Sequence, residues 1–316
     1  MQSPEPATGQ LPEAPAGNPL ARGMGYLPEG GEVVTTESGN LFLSDILHNK
    51  RAMSGCAIVL LLVLFCFAGP LLYHTNQTAT NLNLENLPPG AGHPLGTDEY
   101  GIDILGRLMV GGQSSLELGF AVALSSTVIG ALYGAISGML GGIADAFLMR
   151  IVDTLLAVPT FILLLICASM FTLNLVTIIA ILALLSWPYV CRLVRAQVLA
   201  LKEREFVQAS TAMGSTRMRI LFRHMVPNTF NIFIVTTTFA VADSIYALSA
   251  LSFLGLGPPP PFADWGTMLT NGVNDLFDSY PWEVYPALVI LVITVIAFRQ
   301  IGDALNDIAS ARSSRR

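Results

Sequence analysis

Six apolar stretches, each about the 20 residues a helix needs to cross a bilayer, limit this chain to one kind of architecture. They run at residues 55–73, 116–140, 154–172, 173–191, 229–256 and 284–301. Within lipid every backbone N–H and C=O must be paired inside the chain, so open sheets are excluded and an all-α integral membrane protein with six transmembrane helices is expected. The composition agrees, with 53% hydrophobic and only 12% charged residues. The boundary between the third and fourth stretches, near residues 172–174, is the least marked.

The stretches divide the chain. Residues 1–40 are rich in Pro, Gly, Glu and Ala without an apolar run, which predicts a disordered tail. That tail lacks the basic start and apolar core of a cleavable leader, so the later stretches direct insertion themselves. Residues 41–54 read as an interfacial helix ending at Lys50 and Arg51, residues 55–307 as the six-span domain and residues 308–316 as a basic tail. Lys and Arg beside spans stay on the cytoplasmic side. Placing both termini there puts every basic residue but Arg107 inside, while the outer loops collect Asp and Glu. Cys56, Cys66, Cys167 and Cys191 fall in or beside apolar runs without CxxC spacing and read as small buried hydrophobes.

The only long charged segment between spans is 201–228, LKEREFVQASTAMGSTRMRILFRHMVPN. Phe206, Ala209, Ser210 and Met213 stand at i, i+3, i+4 and i+7, one face of a helix, and Met218, Leu221, Phe222 and Met225 repeat the pattern. Gly214 between them suits the left-handed backbone that ends a helix, and Ser215 or Thr216 suits the cap of the next. Two short helices joined at a bend are expected. With Arg217, Arg219 and Arg223 on its polar side, such a pair fits a partner's groove or a membrane surface.

Other motifs carry competing readings. Gly130, Gly134 and Gly138 at four-residue spacing clear a helix face; packing within one bundle is the plainer reading than a dimer contact. Arg150 and Asp153, three apart, are expected to neutralise each other, with a kink at Pro159. Asp243 lies near the middle of the fifth stretch with Thr236 one heptad earlier. A translocation path and a carboxyl hydrogen-bonded inside the bundle are both open for it. Trp265, after four prolines in PPPPFADWGTML, suits a membrane interface or a docking surface, and His93 with Asp98 is too sparse for a metal site.

No GxxxxGK[ST] motif occurs, and Lys50 and Lys202 lie in no glycine-rich loop, so no phosphate cradle is present and ATP binding by this chain is not expected. Neither a nucleophile elbow nor an HExxH site appears.

Taken together, FVQASTAMG followed by RHMVPN resembles the EAA loop of binding-protein-dependent ABC transporter permeases, the element that docks on the ATPase subunits. HNKRAMSG, HPLGTDEYGID, MRIVDTLLAVP, RLVRAQVLALKEREFVQAS, LSFLGLGPPPP with ADWGTML, and GDALND extend the likeness, in order, to the C-type subunit of the oligopeptide/dipeptide/nickel subfamily. The resemblance covers roughly residues 48–307. It implies an ABC importer permease fold and a heterodimer with a homologous B-type permease. Two ATPase subunits that bind ATP and Mg, an extracytoplasmic solute-binding protein and a bacterial plasma membrane location are implied as well. Neither a cofactor nor nucleic acid is implied for this chain. Gln208, Ala209, Ser210 and Gly214 would form the ATPase-coupling core, joined by Phe206 and Met213 of the same face, and Trp265 would face the binding protein.

The sequence departs from that pattern at Gln208, where many relatives carry Glu, and at Ile102, where Arg is usual. It also departs at Leu248, where an acidic residue is common, and in its ending, ASARSSRR. Peptides, di- or oligopeptides, are the cargo most often implied; nickel complexes and oligosaccharides use similar permeases. A proton-coupled secondary transporter of small solutes is the alternative that Asp243 would suit, although no inverted repeat is visible. An integral membrane enzyme lacks any convergent catalytic set.

Overall fold

The computed structural model describes residues 48–75, 79–171, 173–258, 262–277 and 280–313. The expectations for residues 1–40 and 41–47, and for the middle of the proline run, lie outside the described residues. Among those described, all regular structure is helical apart from two isolated β-bridges, Gly90 with His93 and Thr97 with Asp103.

Helix α1 spans Lys50–Leu72. Asn49 caps it, its Oδ1 accepting from the N–H groups of Arg51 and Ala52 at 3.0 and 3.3 Å. Lys50 and Arg51 are therefore the first turn of the span, and no separate interfacial helix reaches residue 54. One π-helical turn, Leu64–Ala68, interrupts α1 before Pro70.

Helix α2, Ile104–Leu140, begins well before the apolar stretch at 116. Asp103 starts it, accepting from the Gly106 N–H at 2.7 Å. Arg107, Gly111, Gly112 and Gln113 dilute the hydropathy of its first turns, yet Ile104, Leu108 and Met109 there are buried by protein.

The third stretch is not a straight span. Helices α3, Gly142–Ala157, and α4, Thr160–Met170, meet at an 82° bend. Proline disfavours helical backbone in the residue before it, and Val158 is accordingly extended at φ −97, ψ 133. Among the described residues there are thus five helices long and apolar enough to cross a membrane, or six if the bent pair counts as one span.

Helix α5, Leu175–Lys202, is capped by Asn174, which accepts from the Thr177 N–H at 2.9 Å. After it come the short α6, Glu205–Ala212, and α7, which starts at Arg217–Ile220. A π turn at Leu221–Met225 then leads into Val226–Leu251, with a closing π turn at Ser252–Leu256. Helix α8, Trp265–Phe277, lies on the end of the bundle where α7 finishes, and α9, Val284–Ser313, returns. Because Ala304, Leu305 and Ile308 stay buried, α9 continues through most of the expected basic tail at 308–316.

The glycine face of α2 packs within the bundle. A Cβ on Gly130, Gly134 or Gly138 would come within 2.6, 2.4 and 2.9 Å of Trp187 O, Cys191 O and Val198 Cγ1 of α5. Small residues there let two backbones approach, the usual means of helix association where lipid removes the hydrophobic drive. One core, including Cys66, Leu116, Ile245, Trp265 and Phe298, joins α1, α2, α7, α8 and α9. A second, with Leu118, Leu164, Ile178 and Leu248, joins α2, α4, α5 and α7. A third sits at the end where α5 passes into α6.

Candidate functional site

The loop between α5 and α7 forms the first half of the site. Helix α6 is held by Val207 and Ser210, both buried, and Val207 belongs to the core that also holds Val194, Val198, Ile220, Leu221 and Met225. The exposed face carries Phe206, Ala209 and Met213, the last 80% exposed. The expected single face of Phe206, Ala209, Ser210 and Met213 is thus split: Ser210 turns into the bundle and the other three turn away from it. A short helix with apolar residues on both sides docks by whichever set the bundle accepts, here the more compact Val207 and Ser210. Gln208 is exposed, its Nε2 donating to the Glu203 carbonyl at 3.3 Å.

The bend forms as its residues dictate. Gly214 takes φ +79, and its N–H donates to Thr211 O at 3.0 Å while the Ser215 N–H donates to Ser210 O at 3.1 Å. These two bonds close a Schellman motif and satisfy carbonyls that the helix end would otherwise leave unpaired. Thr216 caps the next helix, its Oγ1 accepting from the Arg219 N–H at 3.4 Å. The second amphipathic piece differs from expectation. It is not a separate short helix but the first turns of α7, reached through the π turn, with Leu221 and Met225 buried and Met218 and Phe222 exposed. Met218, Arg219, Phe222 and Arg223 lie together on one open face of these turns.

Three pairs of charged groups tie the helices together. Asp153 meets Arg192 at 2.5 Å rather than Arg150, because α3 packs along α5 and brings the two together. Arg195 grips Asp145 with two bonds, Nε to Oδ1 at 2.7 Å and an Nη to Oδ2 at 2.6 Å, and Ser137 adds a third at 2.5 Å. Asp243 pairs with Arg299 of α9 through one contact of 2.6 Å. Thr236 does not share that exposed position: it is buried and its hydroxyl donates to Ile232 O and Phe233 O of its own helix. Sequence reasoning missed the roles of Asp145, Arg195 and Arg299. For Arg299 the signal was masked, since it stands two residues from the inner end of the apolar stretch 284–301 and reads there as a cytoplasmic flanking charge.

At the opposite end, Asp98 accepts from the N–H groups of Tyr100 and Ile102 at 3.0 and 2.8 Å and pairs with Arg107. His93 Nδ1 and the Tyr73 hydroxyl both meet Asp103 Oδ2, at 2.7 and 3.0 Å. Trp265 is fully buried, so it is not a docking surface: its Nε1 donates to Leu108 O at 3.0 Å and its N–H to Ser115 Oγ at 3.2 Å. An indole whose N–H finds a carbonyl buries its large apolar area without loss. Asp264 caps α8 by accepting from Gly266 N–H at 2.7 Å, while burial pushes its carboxyl above the usual range. Glu283 is buried with neither carboxylate oxygen hydrogen-bonded, and that burial drives its pKa well above the ordinary carboxylate range. Among the described residues no group of three or more His, Cys, Asp or Glu is placed to hold a metal.

Residues 130–315 match the family of binding-protein-dependent transport system inner membrane components, and residues 40–89 match the N-terminal TM domain of oligopeptide transport permease C. The oligopeptide transport system permease protein OppC of Bacillus subtilis is 39% identical over 279 residues, covering 87% of this chain and 91% of the relative. The dipeptide transport system permease protein DppC of the same organism is 37% identical over 259 residues, 82% of this chain and 81% of the relative. The OppC of Mycobacterium bovis is 37% identical over 281 residues, 87% and 96% of the two chains.

Proposed function

Because this chain belongs to the family of binding-protein-dependent transport system inner membrane components, we propose that it is the C-type half of an ATP-driven peptide importer. In this reading it pairs with a homologous B-type permease, and ATPase subunits drive it through α6. It is a multi-pass permease subunit and not an enzyme. ATP and Mg would be bound by two separate ATPase subunits, and an extracytoplasmic solute-binding protein would deliver di- or oligopeptides, the cargo named for the relatives. Both termini and the α6 end would face the cytoplasm, in keeping with the basic residues collected there.

The observation that carries this reading is α6 itself. It is anchored to the bundle by Val207 and Ser210, exposes Phe206, Ala209 and Met213, and is joined by the fixed turn at Gly214 to the helix that carries Asp243. A push on the exposed face would reach α7 without crossing a flexible linker. ATP-dependent closure of the ATPases would then favour one of two openings by making different contacts in each. Asp243, on an exposed face within the membrane, would line the passage.

Uptake of trialanine into vesicles holding the full assembly tests the reading. ATP is expected to drive it without a proton gradient. Uptake driven by the gradient alone would favour the secondary transporter instead.

A further inference from the structure

We propose that Asp243 and Arg299 form an exchangeable ion pair in the passage, which opens to take the two charged ends of a zwitterionic peptide and closes again behind it. This rests on the peptide-importer reading and assigns the substrate's charge pattern to named groups. Asp243 receives the substrate ammonium and Arg299 its carboxylate.

Depth supplies the first argument. Asp243 lies within the span Thr229–Leu256, about 20 Å from either end at 1.5 Å per residue. An aspartate side chain cannot snorkel that far. Arg299 lies in the helix Val284–Ser310, two residues short of the inner end of the apolar stretch 284–301. Yet the side chains are 64% and 55% exposed on this chain. A charge at the depth of Asp243 is costly against lipid and faces protein or a water-filled cavity.

Valence supplies the second. The pair is held by a single contact, an Nη of Arg299 to Oδ1 of Asp243. Oδ2 of the carboxylate and Nε of the guanidinium have no hydrogen-bond partner among the described residues. Asp145 and Arg195 show how this same chain builds a fixed pair: two parallel bonds, a serine hydroxyl and far less exposure. Asp153 and Arg192 also meet through one contact and are half exposed, so open donors and acceptors leave a pair able to trade partners, and its place in the bundle decides whether it does.

Continuity supplies the third. Arg299, Asp303, Asn306 and Asp307 follow at i, i+4, i+7 and i+8, one face of α9, and all four are exposed. The face runs from the pair to the end of the bundle that carries α6. A polar track that leads from the pair to the α6 end suits a hydrated passage and not a lipid-facing side. When no peptide is present, the closed pair also leaves no free charge to attract ions.

Two measurements on the complete transporter, with its partner permease, ATPases and binding protein, test the proposal. Asp243→Asn, Arg299→Gln and the double variant are compared for ATP-driven trialanine uptake per assembled complex. A fixed structural pair suffers when one charge is left alone and tolerates loss of both. An exchangeable pair loses function in all three, so each variant is expected to slow uptake by about tenfold or more. Double-variant uptake at the parent rate would overturn the proposal, as would normal uptake by the single variants.

The second measurement applies should a variant fail to assemble. Tyr246, one turn from Asp243 and exposed, is replaced by Cys and treated with a membrane-impermeant cationic thiol reagent, with unreplaced protein as the control. Labelling that trialanine slows is expected. No labelling, or labelling only by a lipid-soluble maleimide, would place the pair against the partner chain or lipid and overturn the proposal. If the parent complex takes up no trialanine with ATP, the peptide-importer reading fails instead, while thiol access still reports whether the pair meets water.

Discussion

The backbone N–H of Ser215 reaches past Gly214 to the carbonyl of Ser210 at 3.1 Å, and this bond turns α6 into α7. Gly214 sits at φ +79 with open space where a Cβ would point, so a substitution there is felt through the backbone alone. Gly214→Ala is expected to cost about 1–2 kcal/mol of local stability and Gly214→Asn less, because Asn tolerates the left-handed region. Proline cannot adopt that φ. Gly214→Pro is therefore expected to uncouple ATP hydrolysis from uptake or to block assembly, which paired ATPase and uptake assays would show.

Gly134 rests on α5 so closely that the obstacle to a Cβ is backbone, Cys191 O and Arg195 N. Backbone in two packed helices yields little. Gly134→Ala is expected to destabilise the fold by about 1–3 kcal/mol, whereas Gly90→Ala, whose Cβ would meet only Pro88 O at 3.7 Å, is expected to be neutral. Thermal unfolding of the detergent-solubilised protein compares the two.

Arg195 and Asp145 fasten the bent third segment to α5. Replacing one partner strands a partly buried charge, so Arg195→Gln is expected to cost on the order of 2–3 kcal/mol. Adding Asp145→Asn should recover part of that loss. Equal Tm values for the single and double variants would contradict the assignment.

Glu283 makes stability depend on pH with a definite sign. Burial raises its folded pKa above the ordinary 4.5, so the folded state holds the proton more tightly than the unfolded chain. Stability should therefore fall as pH rises from 4.5 toward the raised value, with a slope approaching about 1.4 kcal/mol per pH unit inside that window. Asp264 is shifted in the same direction. Glu283→Gln removes one titrating group and is expected to flatten the fall in Tm between acid and neutral pH without abolishing it. An unchanged profile would show that Glu283 is not protonated in the fold.

Much of this architecture can be read from the chain because lipid enforces it. Apolar length marks the spans, and four-residue glycine spacing marks the α2 face that meets α5. Gly214 announces its own turn because few residues accept that backbone. What escapes is whatever depends on a neighbour. Periodicity places Phe206, Ala209, Ser210 and Met213 together, but only the bundle decides that Val207 and Ser210 face inward. Trp265 reads as an interfacial residue until Leu108 O and Ser115 Oγ are found to receive it. Asp153 has Arg150 within reach along its helix and takes Arg192 across helices instead. The second half of the loop looks like an independent helix because its hydrophobic pattern does not reveal continuity into α7 through a π turn.

In the proposed transporter the exposed face of α6 is where separate ATPases act on this permease. A photo-crosslinking benzoylphenylalanine at Phe206 or Met213, with Val207 as the buried control, tests it most directly in membranes containing the assembled transporter. Adducts with the ATPase subunit from Phe206 and Met213, at yields that change when ATP is added and absent from Val207, are the expected result. Adducts with lipid alone, or yields to the ATPase no higher from the exposed positions than from Val207, would contradict the account.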